Sequence, residues 1–416
     1  MSWGRSILRR IGPGFIMASV VLGPGSIVAA SRAGAEAGYR LLWVLVSAAV
    51  LMAVYTSMGA RLGCALDTTP LDYLSRKTGR WLAALAGVSG FLVAAGFQFG
   101  NNLGVAFALG GLLGEHAWLP LWLWPILFTG LSMAFLWSAK HVYKALERMM
   151  MVLVAVMIVA FVANLFWTGI SVPRLVGGLV PRGEPGDLII ASAMLATTFS
   201  VVGAFYQAYL VRAKGWKRED LKTAVSDAWL GISALGIMSA VIMIGSAETL
   251  FGSGSSFGHI GQLAQQLRGI LGPVSNLVFC CGLAAASFSS FIVNAIVGGG
   301  LLADGFGLDS QVDSKSTRWC ASAALLAGCL VAIVTLVFGT GTTQTTSLLI
   351  AQASTLLAVP LCALLLLVLT SSRSVMGDLR NRAVTMALGG VGLAILLWLA
   401  WTRLSALYTR VADWFQ

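Results

Sequence analysis

An all-α bundle that crosses a membrane many times is the fold this sequence predicts, on three observations. Of its 416 residues, 58% are hydrophobic and only 10% are charged, against about 25% charged in ordinary soluble domains. Apolar runs of roughly 18 residues or more, each enough to span a bilayer as a helix, recur along the whole length. The basic residues collect at alternate inter-span segments, as they do in polytopic membrane proteins.

The runs give eleven spans, at 12–32, 41–62, 82–113, 119–138, 147–169, 188–211, 225–248, 273–302, 319–339, 346–371 and 383–403. The third and eighth are long enough to tilt or to extend past the membrane. The chain divides into a first five-helix repeat over 1–170, a second over 186–371 and an eleventh helix over 383–403. The whole is expected to be a single transmembrane domain, with no separate soluble domain.

With the N-terminus placed in the cytoplasm, 20 of the 27 basic residues fall in inside segments. An odd number of spans then puts the C-terminus outside. That distribution explains the net charge of +11 and excludes a nucleic-acid surface. The basic loop 212–222 is expected to fix topology and to touch anionic membrane lipid. The first apolar run is too long for a signal-peptide core, and its break would be wasted on a discarded peptide. The six cysteines, at irregular spacing in or near spans, read as small packing residues.

Two spans are interrupted. The first reads "SVVLGPGSIVAASRAG" over 19–34 and carries Gly23-Pro24-Gly25-Ser26 at its centre. Gly and Pro weaken a helix interior, and freed backbone groups survive in hydrocarbon only where protein or a polar cavity receives them. The sixth span has a polar, bulky centre from Gly203 to Gln207, and Ser200-Val201-Val202-Gly203 resembles Ser19 to Gly23. These spans open two five-helix halves, and five spans per half inverts the second. Discontinuous helices at matching places in inverted halves point to a midplane transport site. Free N–H groups near Gly25 and Ser26 would offer partial positive charge, and free carbonyls near Val20 to Leu22 partial negative charge.

The stretches "RIGPGFIMASVVLGPGSIVAASRAGAEAGYRLLWVLV" (10–46), "AAASFSSFIVNAIVGGGLLADGF" (284–306) and "AQASTLLAVPLCALLLLVLTSSRSVMGDLRN" (351–381) resemble the first, eighth and tenth helices of the Nramp family of divalent-metal transporters. The resemblance implies the LeuT-type fold, a 5+5 inverted repeat plus one helix, and a bacterial-type inner membrane. It does not carry the family's metal site. The family's Asp-Pro-Gly-Asn motif has Gly23 and Ser26 where its metal-binding Asp and Asn stand. Its Met-Pro-His falls on Ala204, Phe205 and Tyr206, and a second His on Val211. An Asp and a Glu on its proton path align with Gln98 and Asn101. The family's polar Gln in helix 10 matches Gln352.

All 16 acidic residues and the three histidines (116, 141 and 259) lie in loops or near span ends. A bare divalent cation held only by neutral groups would be poorly compensated in a low-dielectric interior. Proton coupling needs a titratable group, which amides are not. The substrate site is therefore expected around Val20, Gly23, Pro24, Gly25 and Ser26, with Val201, Ala204, Tyr206 and Gln207 from the second break and Gln352 from span 10. Gln98 and Asn101 mark the former proton path. Asn102 and Asn294 add amides, and Phe97, Phe99 and Phe205 are candidate walls. Gly34, Gly38 and Gly298-Gly299-Gly300 are candidate flexible points, though close packing explains the last run equally well. Asp227 reads as a charge at a helix N-terminus or as a partner of a nearby Arg.

The expected function is alternating-access transport of a small neutral or anionic solute. The alternatives are a hydrated divalent cation (Mn, Fe or Mg) moved without proton coupling, and a non-transporting sensor or scaffold. No enzymatic motif, no cofactor, no obligate protein partner and no side-chain metal ligand are expected.

Overall fold

The computed structural model describes residues 12–114, 119–137, 140–254, 257–339 and 343–414, with side chains at 15, 18–20, 140–148, 185 and 406–414 outside the description. Among the described residues, eight helical segments are long and apolar enough to cross a membrane, and a bent pair, Gln344–Leu357 with Val359–Ser371, makes a ninth. The interrupted first span and the 15-residue apolar helix Leu123–Trp137 complete the eleven expected segments.

The first span is two helices, α1 (Pro13–Val21) and α2 (Pro24–Ala37). The second and third are α3 (Leu42–Ala65) and α5 (Arg80–Leu113), joined by the short α4 (Pro70–Thr78). Spans 4 and 5 are α6 (Leu123–Trp137) and α7 (Lys140–Thr168), and α8 (Val172–Gly178) follows. The sixth span is again two helices, α9 (Leu188–Thr198) and α10 (Val201–Ala213). Spans 7, 8 and 9 are α11 (Leu221–Leu250), α12 (Ser275–Gly305) and α13 (Lys315–Phe338). The tenth is bent into α14 (Gln344–Ser354) and α15 (Val359–Ser371), and α16 (Ala383–Trp414) ends the chain.

The bend in the tenth span, 44°, was not foreseen. It sits where Pro360 lacks a backbone donor, and the Ser89 hydroxyl of α5 donates to the Ala358 carbonyl there.

Small residues let the central helices meet closely. The three consecutive glycines of α12 face three different neighbours. A Cβ on Gly298 would lie 2.3 Å from Ala94 of α5, one on Gly299 2.6 Å from the Ala321 backbone of α13, and one on Gly300 3.3 Å from the Tyr206 ring of α10. The run is thus a packing device in which each glycine admits one partner. Gly34 likewise admits α11, since its Cβ would meet the Met243 carbonyl at 2.1 Å, whereas Gly38 turns the chain with φ of +57°.

Polar ties hold the end opposite the chain's start. Arg40 donates to both Asp187 oxygens at 2.9 and 3.0 Å and reaches Glu184 at 2.8 Å. Burial disfavours ionised Asp187, but the Arg40 guanidinium and the Glu184 amide outweigh it and hold the carboxyl below its usual value. A lowered carboxyl stabilises the fold above its unfolded pKa of about 3.9 and loses that contribution as pH falls through the folded value. Arg40→Ala should therefore lower stability by about 1 kcal/mol at pH 7, because the pair is partly solvated. Thermal unfolding in detergent should show this deficit constant from pH 8 to 5 and shrinking below about pH 4.

Candidate substrate site at the paired helix breaks

The two breaks share a backbone device. Gly23 N–H bonds the Val21 carbonyl at 2.8 Å, and Val201 N–H bonds the Phe199 carbonyl at 3.1 Å. Each is a three-residue turn, centred on Leu22 and on Ser200, and Ser200 has the φ −79°, ψ 81° of an inverse γ-turn. The next helix then starts with Ile27 N–H to Gly23 O and with Ala204 N–H to Ser200 O. Ser200 therefore corresponds to Leu22 by turn centre and to Gly23 by helix start. The sequence reading paired Ser19–Gly23 with Ser200–Gly203, which is out of that register. It also set the exposed backbone of the second break at 201–204, beside the polar centre Gly203–Gln207. The chain instead breaks at Phe199-Ser200, and that polar stretch lies inside α10.

Pro24 occupies the first turn of α2, where its missing donor costs nothing. Ser26 turns back across the gap, its hydroxyl within bonding distance of the Val21 and Gly23 carbonyls at 3.1 and 2.9 Å. It therefore satisfies the end of α1 while sitting at the start of α2. The first-turn N–H groups of Gly25 and Ser26 have no carbonyl of their own helix to bond.

A small cavity of about 20 Å³, room for little more than a water molecule, lies against this break. Val21, Gly23, Pro24, Gly25 and Ser26 line it from the first span, Phe97 and Asn101 from α5, Thr197 and Ser200 from the second break, Ser290 and Asn294 from α12, and Gln352 from α14. Every polar side chain in this lining is neutral. Two are buried without a hydrogen-bond partner, at Ser290 Oγ and Gln352 Oε1. Asn101 gives its Nδ2 to Gln98 at 3.2 Å, while its Oδ1 would stand 3.9 Å from a Cβ on Gly23. The Gln352 amide is wedged between two glycines, since a Cβ on Gly100 would fall 1.9 Å from its Nε2 and one on Gly25 2.4 Å from its Cδ. Among the described residues, no three His, Cys, Asp or Glu side chains lie together as a metal site would require.

The cavity brings together Gly23, Pro24, Gly25, Ser26, Asn101, Asn294, Phe97 and Gln352 of the residues singled out from sequence. It does not include Val201, Ala204, Tyr206 or Gln207. Val201 and Ala204 are buried in the core, and the Ala204 carbonyl packs on Gly59. Tyr206 packs on Gly300 and stacks on Tyr209, with ring centroids 5.1 Å apart. Gln207, with its amide turned to find partners, donates to the Pro13 carbonyl and accepts from Gly14 N–H. Ala204, Tyr206 and Gln207 miss the cavity because the break comes earlier than the polar stretch, and Val201, next to the break, is buried in the core. Val20 belongs to α1, but its side chain lies outside the described residues.

Gln98 and Asn102 are structural amides. Gln98 donates to the Phe291 carbonyl at 2.5 Å, and Asn102 donates to Gln98 O at 2.8 Å and accepts from Thr129 at 3.1 Å. Phe205 is core, and Phe99 packs against the core without reaching the cavity. Asp227 accepts from Gly14 N–H at 2.6 Å and so anchors the start of α1. The sequence reading missed Thr197, Ser200 and Ser290. The last was legible, because Ser287, Ser290 and Asn294 recur at helical spacing along one face of α12.

A bundle with interrupted first and sixth spans around a small cavity is the LeuT-type transporter fold. The structure of MhsT in complex with L-phenylalanine superimposes with a TM-score of 0.58 at 15% identity, over 93% of this chain and 98% of that one. A mutant of the Eremococcus coleocola manganese transporter superimposes with a TM-score of 0.77 at 18% identity, over 100% of this chain and 89% of that one. Residues 14–405 match the family described as natural resistance-associated macrophage protein-like, and the chain belongs to this Nramp family. It is 26% identical over 385 residues to the divalent metal cation transporter MntH of Mycobacterium tuberculosis, covering 90% of this chain and 86% of that protein. It is 25% identical over 425 residues to the MntH of Nostoc, covering 98% and 93%.

Proposed function

We propose that this protein is an alternating-access transporter of divalent cations that holds the ion through its water shell and moves it without proton coupling. The observation that carries this reading is the cavity lining. It is neutral throughout, and its two partnerless buried atoms are oxygens, Ser290 Oγ and Gln352 Oε1. An amide oxygen only accepts hydrogen bonds, and a hydroxyl accepts as well as donates. The waters around a divalent cation present hydrogens outward, so the ion can leave its charge compensated by its own shell. The named activity of the MntH relatives supports a divalent cation as cargo. With no carboxylate, imidazole or amine in the lining, nothing at the site would exchange a proton.

A second reading keeps the small neutral or anionic solute. It is favoured by α2, which starts at Pro24 against the cavity and would offer free N–H groups to an acceptor. Purified protein in proteoliposomes separates the two. Uptake of manganese and magnesium above empty vesicles, unchanged by an inward proton gradient, is the expected result. No uptake of either ion would favour the solute reading, and uptake driven by the proton gradient would refute the uncoupled mechanism.

In this account the N-terminus faces the cytoplasm and the C-terminus the outside, as the distribution of basic residues indicates.

A further inference from the structure

Below the cavity, one face of α12 leads toward the end of the bundle where the chain begins. Ser290 and Asn294 line the cavity, and Asn294 and Val297 line a second, smaller space beneath it. Gly300 follows under the Tyr206 ring, and then Asp304. These residues recur every three or four positions, so they share a face. From Asn294 to Asp304 the helix rises about 15 Å.

At Asp304, side chains from three elements meet. Tyr209 of α10 donates its hydroxyl to Asp304 Oδ2 at 2.5 Å, and Thr69 donates to Oδ1 at 2.7 Å. Tyr209 stacks on Tyr206 with the rings only 10° from parallel. Asp304 is 4% exposed and Tyr209 7%. Arg212, one turn beyond Tyr209, donates to the Leu66 and Asp67 carbonyls just before Thr69. A buried carboxylate is costly unless its oxygens are bonded, and here both are. The half-span that leaves the second break is thereby tied to span 8 and to the loop after span 2.

We propose that the Tyr209–Asp304–Thr69 cluster is the latch that closes this mouth of the transport path, and that its hydrogen bonds must break for the cavity to open toward the end where the chain begins. The proposal rests on the alternating-access reading, but its test reads accessibility, not uptake, so the two can fail separately. In protein whose native cysteines are replaced, Val297→Cys reports on the space between cavity and latch. Tyr209→Phe removes one hydroxyl and keeps the ring, so it spares the packing that Asp304→Asn could disturb.

The measurement is the labelling rate of the Val297→Cys thiol by an impermeant maleimide, in right-side-out and inside-out vesicles. Tyr209→Phe should raise labelling from the chain-start side about tenfold, equivalent to about 1.4 kcal/mol, and leave labelling from the other side unchanged or lower. Adding Asp304→Asn should produce little further increase, because both changes break the same bond. An unchanged rate in Tyr209→Phe, an equal rise from both sides, or fully additive effects would each overturn the latch.

Discussion

Gly23→Asp combined with Ser26→Asn should turn the cavity into a site that strips water from manganese. Gly23 has φ −95° and ψ −173°, a backbone open to any residue. Its Cβ would meet Ser290 Oγ at 3.0 Å, a contact that a shift of a few tenths of an ångström relieves. Position 23 is also the N-cap of α2. Asp is among the favoured residues there, and its charge suits a helix N-terminus. The variant is therefore expected to fold, with a carboxylate beside Asn101 and Ser290. Direct oxygen ligation by a carboxylate then replaces contact through water. Selectivity for manganese over magnesium should rise at least about tenfold, or about 1.4 kcal/mol, in calorimetric binding and in competition uptake. Unaltered selectivity in a well-folded variant would mean that the ion never approaches Gly23.

Gly100→Ala should abolish most transport through a residue that carries no chemistry. Its methyl would sit 1.9 Å from Gln352 Nε2, so the flexible end of that side chain has to swing away. Gln352 must leave its notch, so the cavity loses one of its two free oxygens. Overpacking of this kind costs about 1–3 kcal/mol, and uptake should fall about tenfold or more. Adding Gln352→Ala should restore the melting temperature but not the uptake. Gly130→Ala is the control, because a Cβ there meets nothing within 4 Å. If Gly100→Ala transported normally, Gln352 would not be part of the substrate site.

The span count and the first break were legible because both are written in local composition. Apolar runs declare spans whatever they pack against, and Gly-Pro-Gly can hardly sit in a helix without interrupting it. The second break was placed a few residues late because nothing in Phe199-Ser200 breaks a helix by itself. That interruption depends on tertiary partners, and the polar run Gly203–Gln207 was the louder signal. Gln207 instead meets the start of α1, and Tyr206 meets a glycine of α12. Neither contact can be read from spacing along one segment. Asp304 shows the same limit. Its position near the end of span 8 says nothing of what covers it, yet a loop and α10 close over it.

Competition by hexaamminecobalt(III) tests whether the ion is held through its waters. This complex does not exchange its ligands and presents only N–H donors, so it can occupy an outer-sphere site and cannot enter an inner-sphere one. In proteoliposomes it should inhibit manganese uptake by the native protein, and should lose that effect in the Gly23→Asp, Ser26→Asn variant. Manganese uptake that hexaamminecobalt(III) leaves untouched in the native protein would show that the cation sheds its water there and is not held through its shell.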